Sequence, residues 1–315
     1  MNKQFLEDVK MGLTSSPKFL SSKYFYDEAG NKLFQEIMAL DEYYLTNCEF
    51  EILSTYRDTL LKQFINTCDL FHLVEFGAGD AFKTKILLKH FLDQQVAFEY
   101  NPIDISGNAI QQLVEDLRQS MSELQVDPMN HEYFHALEEL SRKSTCKKVV
   151  LFLGSNIGNF TEKESHAIFS SLAEVLLPGD QLLIGFDLDK DPEVILAAYN
   201  DGKGVTREFN LNLLKRINRE LDADFKISEF YHRPIYDQEH CAARSYLVSR
   251  RKQEVSIAAI PALIQFEQEE PIFMEIAQKY SLGDIEHFAA HAGFRITENY
   301  FDKRDYFVNS LWELI

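Results

Sequence analysis

Cysteine is scarce in this chain. Its four cysteines, Cys48, Cys68, Cys146 and Cys241, are scattered and form no CxxC pair. Read linearly, the chain also offers no histidines at ligand spacing, so neither a disulfide framework nor a metal site is expected. Long apolar runs are missing too. None reaches the roughly eighteen residues of a membrane span, and the opening MNKQFLEDVKMGL lacks the apolar core of a signal peptide. A cytoplasmic protein, away from membranes, is the expectation. Basic residues are outnumbered, 32 Lys and Arg against 50 Asp and Glu, for a net charge of −18. Nucleic acid is therefore not an expected partner, because phosphate backbones are held by clustered Lys and Arg; a neutral or cationic ligand fits better. What is present, 315 residues at 45% hydrophobic and 26% charged, can build one large domain or two.

No repeat or low-complexity tract organises the chain, so the order of elements must. HLVEFGAGDAF at 72–82 runs from an apolar segment into Gly77 and Gly79, and KTKILLKHFL then repeats its apolar residues at helical spacing: strand, tight turn, helix. VAFEYNPIDIS predicts a second strand ending at Asp104 and Ser106, and NAIQQLVEDLRQSMSEL a second helix. KKVVLFLG is a third strand. A helix at TEKESHAIFSSLAEVLL opens with Thr161 as N-cap and Glu164 three residues on, and DQLLIGFDL is a fourth strand. This alternation implies an α/β, doubly wound parallel sheet with ligands at the carboxyl ends of its strands. From 187 to about 280 the rhythm breaks into polar, irregular chain with helical pieces and an extended ARSYLVSRRKQEVSI. It resumes with a helix closed by Gly293 and two strands in FRITENYFDKRDYFVNSLWEL. A parallel sheet finished by an antiparallel hairpin is the Rossmann-like plan of class I methyltransferases. The expected division is 48–188 with 280–315 as the cofactor domain, and 1–47 with 189–279 as a second, substrate-binding domain.

The glycine turn discriminates between cofactors. A dinucleotide fingerprint wants a third glycine where this chain has Phe82, so NAD is disfavoured. S-adenosylmethionine carries no phosphates and needs instead acceptors for its ribose hydroxyls. Asp104, 25 residues after Gly79, stands where a ribose acid belongs in such a fold, and Glu75 is a second candidate. The sulfonium is cationic, which suits an acidic pocket.

Five stretches are specific in combination: KYFYDEAGNKLFQEIMALDEYYLT at 23–46, VEFGAGDAFKTKILL at 74–88, YNPIDIS at 100–106, FLGSNIGNF at 152–160 and AAYNDGKGVTREFN at 197–210. Through them the chain resembles, over nearly its whole length, the histidine-specific, S-adenosylmethionine-dependent methyltransferase family, which methylates the α-amino group of an amino acid. The resemblance implies cofactor contacts from Gly77, Lys83 and Asp104, with Glu132 and Tyr133 beside the adenine. It implies that Tyr26 and Tyr199 hold the substrate carboxylate and Asn159 its α-amine. Phe34 and Tyr43 would line the pocket, and Glu275 would hydrogen-bond a substrate imidazole. No metal is implied.

Two positions depart from the pattern. Ala277 stands where the histidine enzymes offer a serine hydroxyl to the ring, and Ser245 where they place a methionine over it. A buried ring nitrogen left without a partner costs roughly 1 to 3 kcal/mol, so histidine or a related amino acid is the expected substrate. Two other classes compete. A non-catalytic S-adenosylmethionine-binding module need not combine Tyr26, Asn159 and Tyr199, and an NAD-dependent oxidoreductase should show the third glycine.

Overall fold

The computed structural model describes residues 3–65 and 70–315; Cys68 falls outside them. In chain order the elements are α1 (Lys3–Thr14), β1 (Lys18–Phe19), α2 (Glu28–Met38), α3 (Tyr44–Ile65), β2 (Leu70–Phe76), α4 (Lys85–Asp93), β3 (Ala97–Ile103), α5 (Gly107–Ser120), α6 (Tyr133–Lys143), β4 (Lys147–Phe152), α7 (Glu162–Val175) and β5 (Gln181–Asp187). There follow α8 (Pro192–Tyr199), α9 (Val205–Leu221), β6 (Phe230–Asp237), β7 (Ala242–Ser249), β8 (Gln253–Ile257), β9 (Ile260–Phe266), β10 (Pro271–Gln278), α10 (Leu282–His291), β11 (Phe294–Phe301) and β12 (Phe307–Leu314). They sort into two compact units: the chain up to Tyr44 with Lys190–Gln278, and Leu45–Asp189 with Lys279–Ile315. Among the described residues, no helix is long and apolar enough to cross a membrane.

The larger unit is built on a six-stranded sheet of order β11-β12-β5-β4-β2-β3. β2 pairs in parallel with both β3 and β4, and β4 with β5, while β12 runs antiparallel to β5 and to β11. Every residue of β5, QLLIGFD, is buried, as a central strand covered on both faces requires. Because β3 and β4 flank β2 on opposite sides, the strand order reverses there. The carboxyl end of β2 therefore opens on the crevice where ligands bind in such sheets. The segment after α5 extends the β3 edge through parallel bridges Tyr100–Val126 and Ile103–Met129. α7 starts with the predicted capping box, Thr161 accepting from the Glu164 amide and Glu164 from the Thr161 amide. Phe152, Phe169, Phe186 and Trp312 anchor the core, each within 1% of full burial. Removing such side chains from water stabilises by roughly 1.5 to 3 kcal/mol apiece.

The smaller unit corrects one expectation. Its chain from 190 to 278 is not irregular: β1-β10-β7-β6 form a four-stranded mixed sheet, and β8 with β9 a separate hairpin. β6 is only partly buried along most of its length, so its sequence, FYHRPIYD, carries little period-two signal. ARSYLVSRRKQEVSI is two strands in different sheets. They part at Ser249–Gln253, where the Ser249 hydroxyl donates to the Arg251 carbonyl and accepts from Gln253. α2 packs on α9, and α8 and α9 pack on β6 and β7.

Candidate functional site

In the larger unit the chain leaves β2 through two left-handed residues, Gly77 at φ +66° and Gly79 at φ +54°. A Cβ on Gly77 would stand 2.9 Å from the Tyr133 hydroxyl, whereas nothing lies within 4 Å of one on Gly79, so the turn is open on that side. Asp104 follows β3 directly. One carboxylate oxygen accepts from the Ser106 amide at 2.8 Å and the other from the Gly79 amide at 3.3 Å. A carboxylate has about four acceptor positions, so half remain for other donors. Tyr133 lies flat on Phe76, ring centroids 4.7 Å apart and planes 5° from parallel. Burial, helped by the Asp104 charge, pushes its hydroxyl up to about 12. Glu132 is the exposed N-cap of α6, with no capping bond from its side chain. Gly77, Gly79, Asp104 and Tyr133 are thus gathered at one sheet edge, with Glu132 next in the chain.

Glu75 and Lys83 are each engaged by side chains of the same unit. Glu75 is buried, accepting from Thr84 Oγ1 at 2.6 Å and from the Tyr100 hydroxyl, and burial lifts its carboxyl to about 7. Both its oxygens brace β2 against β3 and the helix start. The Lys83 ammonium pairs with Glu49 of α3, which is fully buried and also accepts the Gly154 amide at 2.8 Å. Glu49 escapes a sequence reading, since an acid amid α3 looks like a solvated position. Asn159 ends a 3-10 turn, Asn156–Asn159, that follows β4. Asn156 reaches closer to the glycine turn, its amide 3.6 Å from the Cβ position of Gly77. The quoted GSNIGNF contains both asparagines, and only the fold tells them apart.

In the smaller unit the four predicted aromatics form a connected series. Tyr26 meets Phe34 edge-on with ring centroids 5.4 Å apart, Phe34 meets Tyr43 at 6.3 Å, and Tyr43 meets Tyr199 at 6.5 Å. Phe209 of α9, which the sequence did not single out, supports the series by touching both Tyr26 and Phe34. Strand register fixes the rest. Glu275 on β10 lies opposite Ser245 on β7, Ser245 opposite Pro234 on β6, and Ala277 opposite Ala243. Paired residues project from the same face, as do residues two apart. Glu275, Ser245, Ala277, Ala243 and His232 therefore share one sheet face. Ser245 is buried with its hydroxyl 3.2 Å from His232 Nε2, and burial pulls that imidazole down to about 4. His232 and Ala243 are invisible to spacing rules because only register brings them beside Ser245 and Ala277.

Comparison with known proteins identifies the family. Residues 5–314 match the family model described as histidine-specific methyltransferase, SAM-dependent. A histidine N-alpha-methyltransferase of Mycolicibacterium smegmatis is 33% identical over 92% of this chain and 88% of its own. One of Mycobacterium tuberculosis is 33% identical over 87% and 83%. An L-tryptophan methyltransferase of Psilocybe serbica is 24% identical over 93% of this chain and 88% of its own. Among solved structures, the mitomycin 7-O-methyltransferase superposes with a TM-score of 0.50 at 10% identity, covering 99% of this chain and 67% of that one. That likeness shows the fold.

Proposed function

The chain belongs to the S-adenosylmethionine-dependent, histidine-specific methyltransferase family, and on that premise we propose that it methylates the α-amino group of histidine or a related amino acid. It is an S-adenosylmethionine-dependent methyltransferase, which sets aside the nicotinamide reading. The observation that carries the α-amine proposal is the 33% likeness to histidine N-alpha-methyltransferases over nine-tenths of the chain.

The larger unit's residues fit the methyl donor. The Gly79 turn is open where a Cβ would intrude, and Asp104 keeps acceptor positions for ribose hydroxyls. Tyr133, with its face toward Phe76 and its proton held, and Glu132 form the adenine edge. Bound S-adenosylmethionine supplies an electrophilic methyl on a cationic sulfonium. Lys83 acts indirectly: paired to Glu49, it ties the turn after β2 to the turn after β4.

The smaller unit holds the amino acid. Tyr26 and Tyr199 donate to its carboxylate, Phe34 and Tyr43 line its side chain, and Glu275 accepts from a ring N–H. The cationic sulfonium disfavours a second positive charge on the α-amine and so favours the neutral form whose lone pair attacks. Orientation and exclusion of water do the remainder of the work; no dedicated base is required.

A second reading, a bulkier aromatic amino acid, is favoured by the two alanines at 277 and 243 that face each other on the sheet. Incubation with histidine and methyl-labelled cofactor tests the proposal by nuclear magnetic resonance of the product. The label is expected on the α-nitrogen; a label on the imidazole would refute it.

A further inference from the structure

We infer that His131, His135 and Glu139 form a zinc-binding site beside the cofactor turn, and that zinc held there strengthens cofactor binding. One donor atom from each residue lies within 4.8 Å of the other two. The rings of His131 and His135 are 4.8 Å apart at their centroids, and His131 Nε2 stands 3.9 Å from Glu139 Oε2. Zinc binds imidazole nitrogen and carboxylate oxygen at about 2.0 to 2.2 Å, so tetrahedral ligands sit about 3.4 Å from one another. Closing from the present spacing takes rotamer shifts of side chains that are exposed or half-buried. Two imidazoles and one carboxylate are a borderline-soft donor set that suits zinc over calcium or magnesium. The other oxygen, Glu139 Oε1, accepts from Lys143 at 2.6 Å, which keeps the carboxylate ionised while leaving Oε2 toward the histidines. Asp127 and Asn130 line a hollow with His131 and Glu139.

The expectation of no histidines at ligand spacing is thereby corrected. His131-x3-His135 is such a pair, hidden because His131 precedes the helix and its alignment with His135 and Glu139 depends on where α6 begins.

The coupling follows from position. His131 lies in the loop before α6, and His135 and Glu139 lie within it; between them are Glu132 and Tyr133. The helix starts without a side-chain cap, so its first turn lacks one of the usual restraints. A metal joining loop to helix would supply that restraint and fix Tyr133, whose hydroxyl borders Gly77. This second part rests on the reading of Glu132 and Tyr133 as the adenine edge.

Calorimetry on chelator-stripped protein decides both parts. S-adenosylhomocysteine is titrated first without metal, and its binding tests the cofactor reading by itself. Zinc chloride is then titrated into free and S-adenosylhomocysteine-bound protein. One zinc per chain is expected, weakened at least tenfold in His135→Gln and in His131→Gln but unchanged in His291→Gln, a control in the separate cluster His166, His287 and His291. Zinc and S-adenosylhomocysteine should each raise the other's affinity by the same severalfold factor, because coupling is reciprocal. No zinc binding, or binding lost in His291→Gln and kept in His135→Gln, would overturn the site; zinc binding that leaves S-adenosylhomocysteine affinity unchanged would overturn the coupling.

Discussion

Ser245 Oγ lies 3.2 Å from His232 Nε2 on the sheet face that also bears Glu275. The Ser245 hydroxyl is thus engaged with a half-buried imidazole that burial keeps neutral.

That imidazole makes stability depend on pH. Burial lowers the His232 pKa from 6.5 to about 4, so between those values the folded chain binds fewer protons than the unfolded one. Its contribution is complete above pH 6.5 and lost as pH falls toward 4, worth roughly 3 kcal/mol over the window. Glu75 opposes it: its raised pKa, from 4.5 to about 7, makes its stabilisation complete below 4.5 and lost as pH rises through 7. Urea denaturation from pH 4.5 to 7.5 should show stability rising less steeply with pH in His232→Gln than in wild type, and more steeply in Glu75→Gln. Parallel curves for all three proteins would refute both assignments.

Ala277 is the specificity test. With histidine as substrate, Ala277→Ser restores a hydroxyl on the Glu275 face and should raise kcat/KM by up to about tenfold, the worth of one modest hydrogen bond. With a bulkier aromatic substrate the same change should leave turnover flat or reduce it. Robust wild-type activity on histidine with no response to the serine would show that position 277 does not face the ring.

Asp104→Ala should weaken S-adenosylmethionine binding roughly 10- to 100-fold, through loss of charge-assisted hydrogen bonds. Calorimetry measures it, with circular dichroism to establish that the variant is folded, since Asp104 also holds the Gly79 and Ser106 amides. Undiminished affinity would put the ribose acceptor elsewhere.

Lys83→Met should destabilise the protein by roughly 3 to 5 kcal/mol, because it strands the fully buried Glu49 without its counter-charge. Lys83→Met with Glu49→Gln should recover most of that loss in urea denaturation. A single variant as stable as wild type would mean that the pair braces nothing.

The parallel sheet was legible in the sequence because β2, β4 and β5 are buried apolar runs between glycine turns, and because the Thr161/Glu164 box announces α7. α3 was not legible: it carries Glu49 inward, against the binary pattern. Nor was the four-stranded sheet, whose partly buried β6 alternates weakly. Among the candidate site residues, Asp104 and Gly77 could be located from strand ends alone, since a strand's terminus is a local property. Glu49, Asn156, His232 and Ala243 depend on register or on turns between elements far apart in the chain, which no local pattern encodes.

The most direct test of the whole account is a screen of the twenty amino acids with S-adenosylmethionine, read as S-adenosylhomocysteine release by the wild-type enzyme. The account predicts turnover of histidine or of a larger aromatic amino acid, well above that of the other candidates. Absence of turnover with every amino acid, from a protein that still binds S-adenosylmethionine, would contradict it and leave a chain that holds the cofactor without using it on an α-amine.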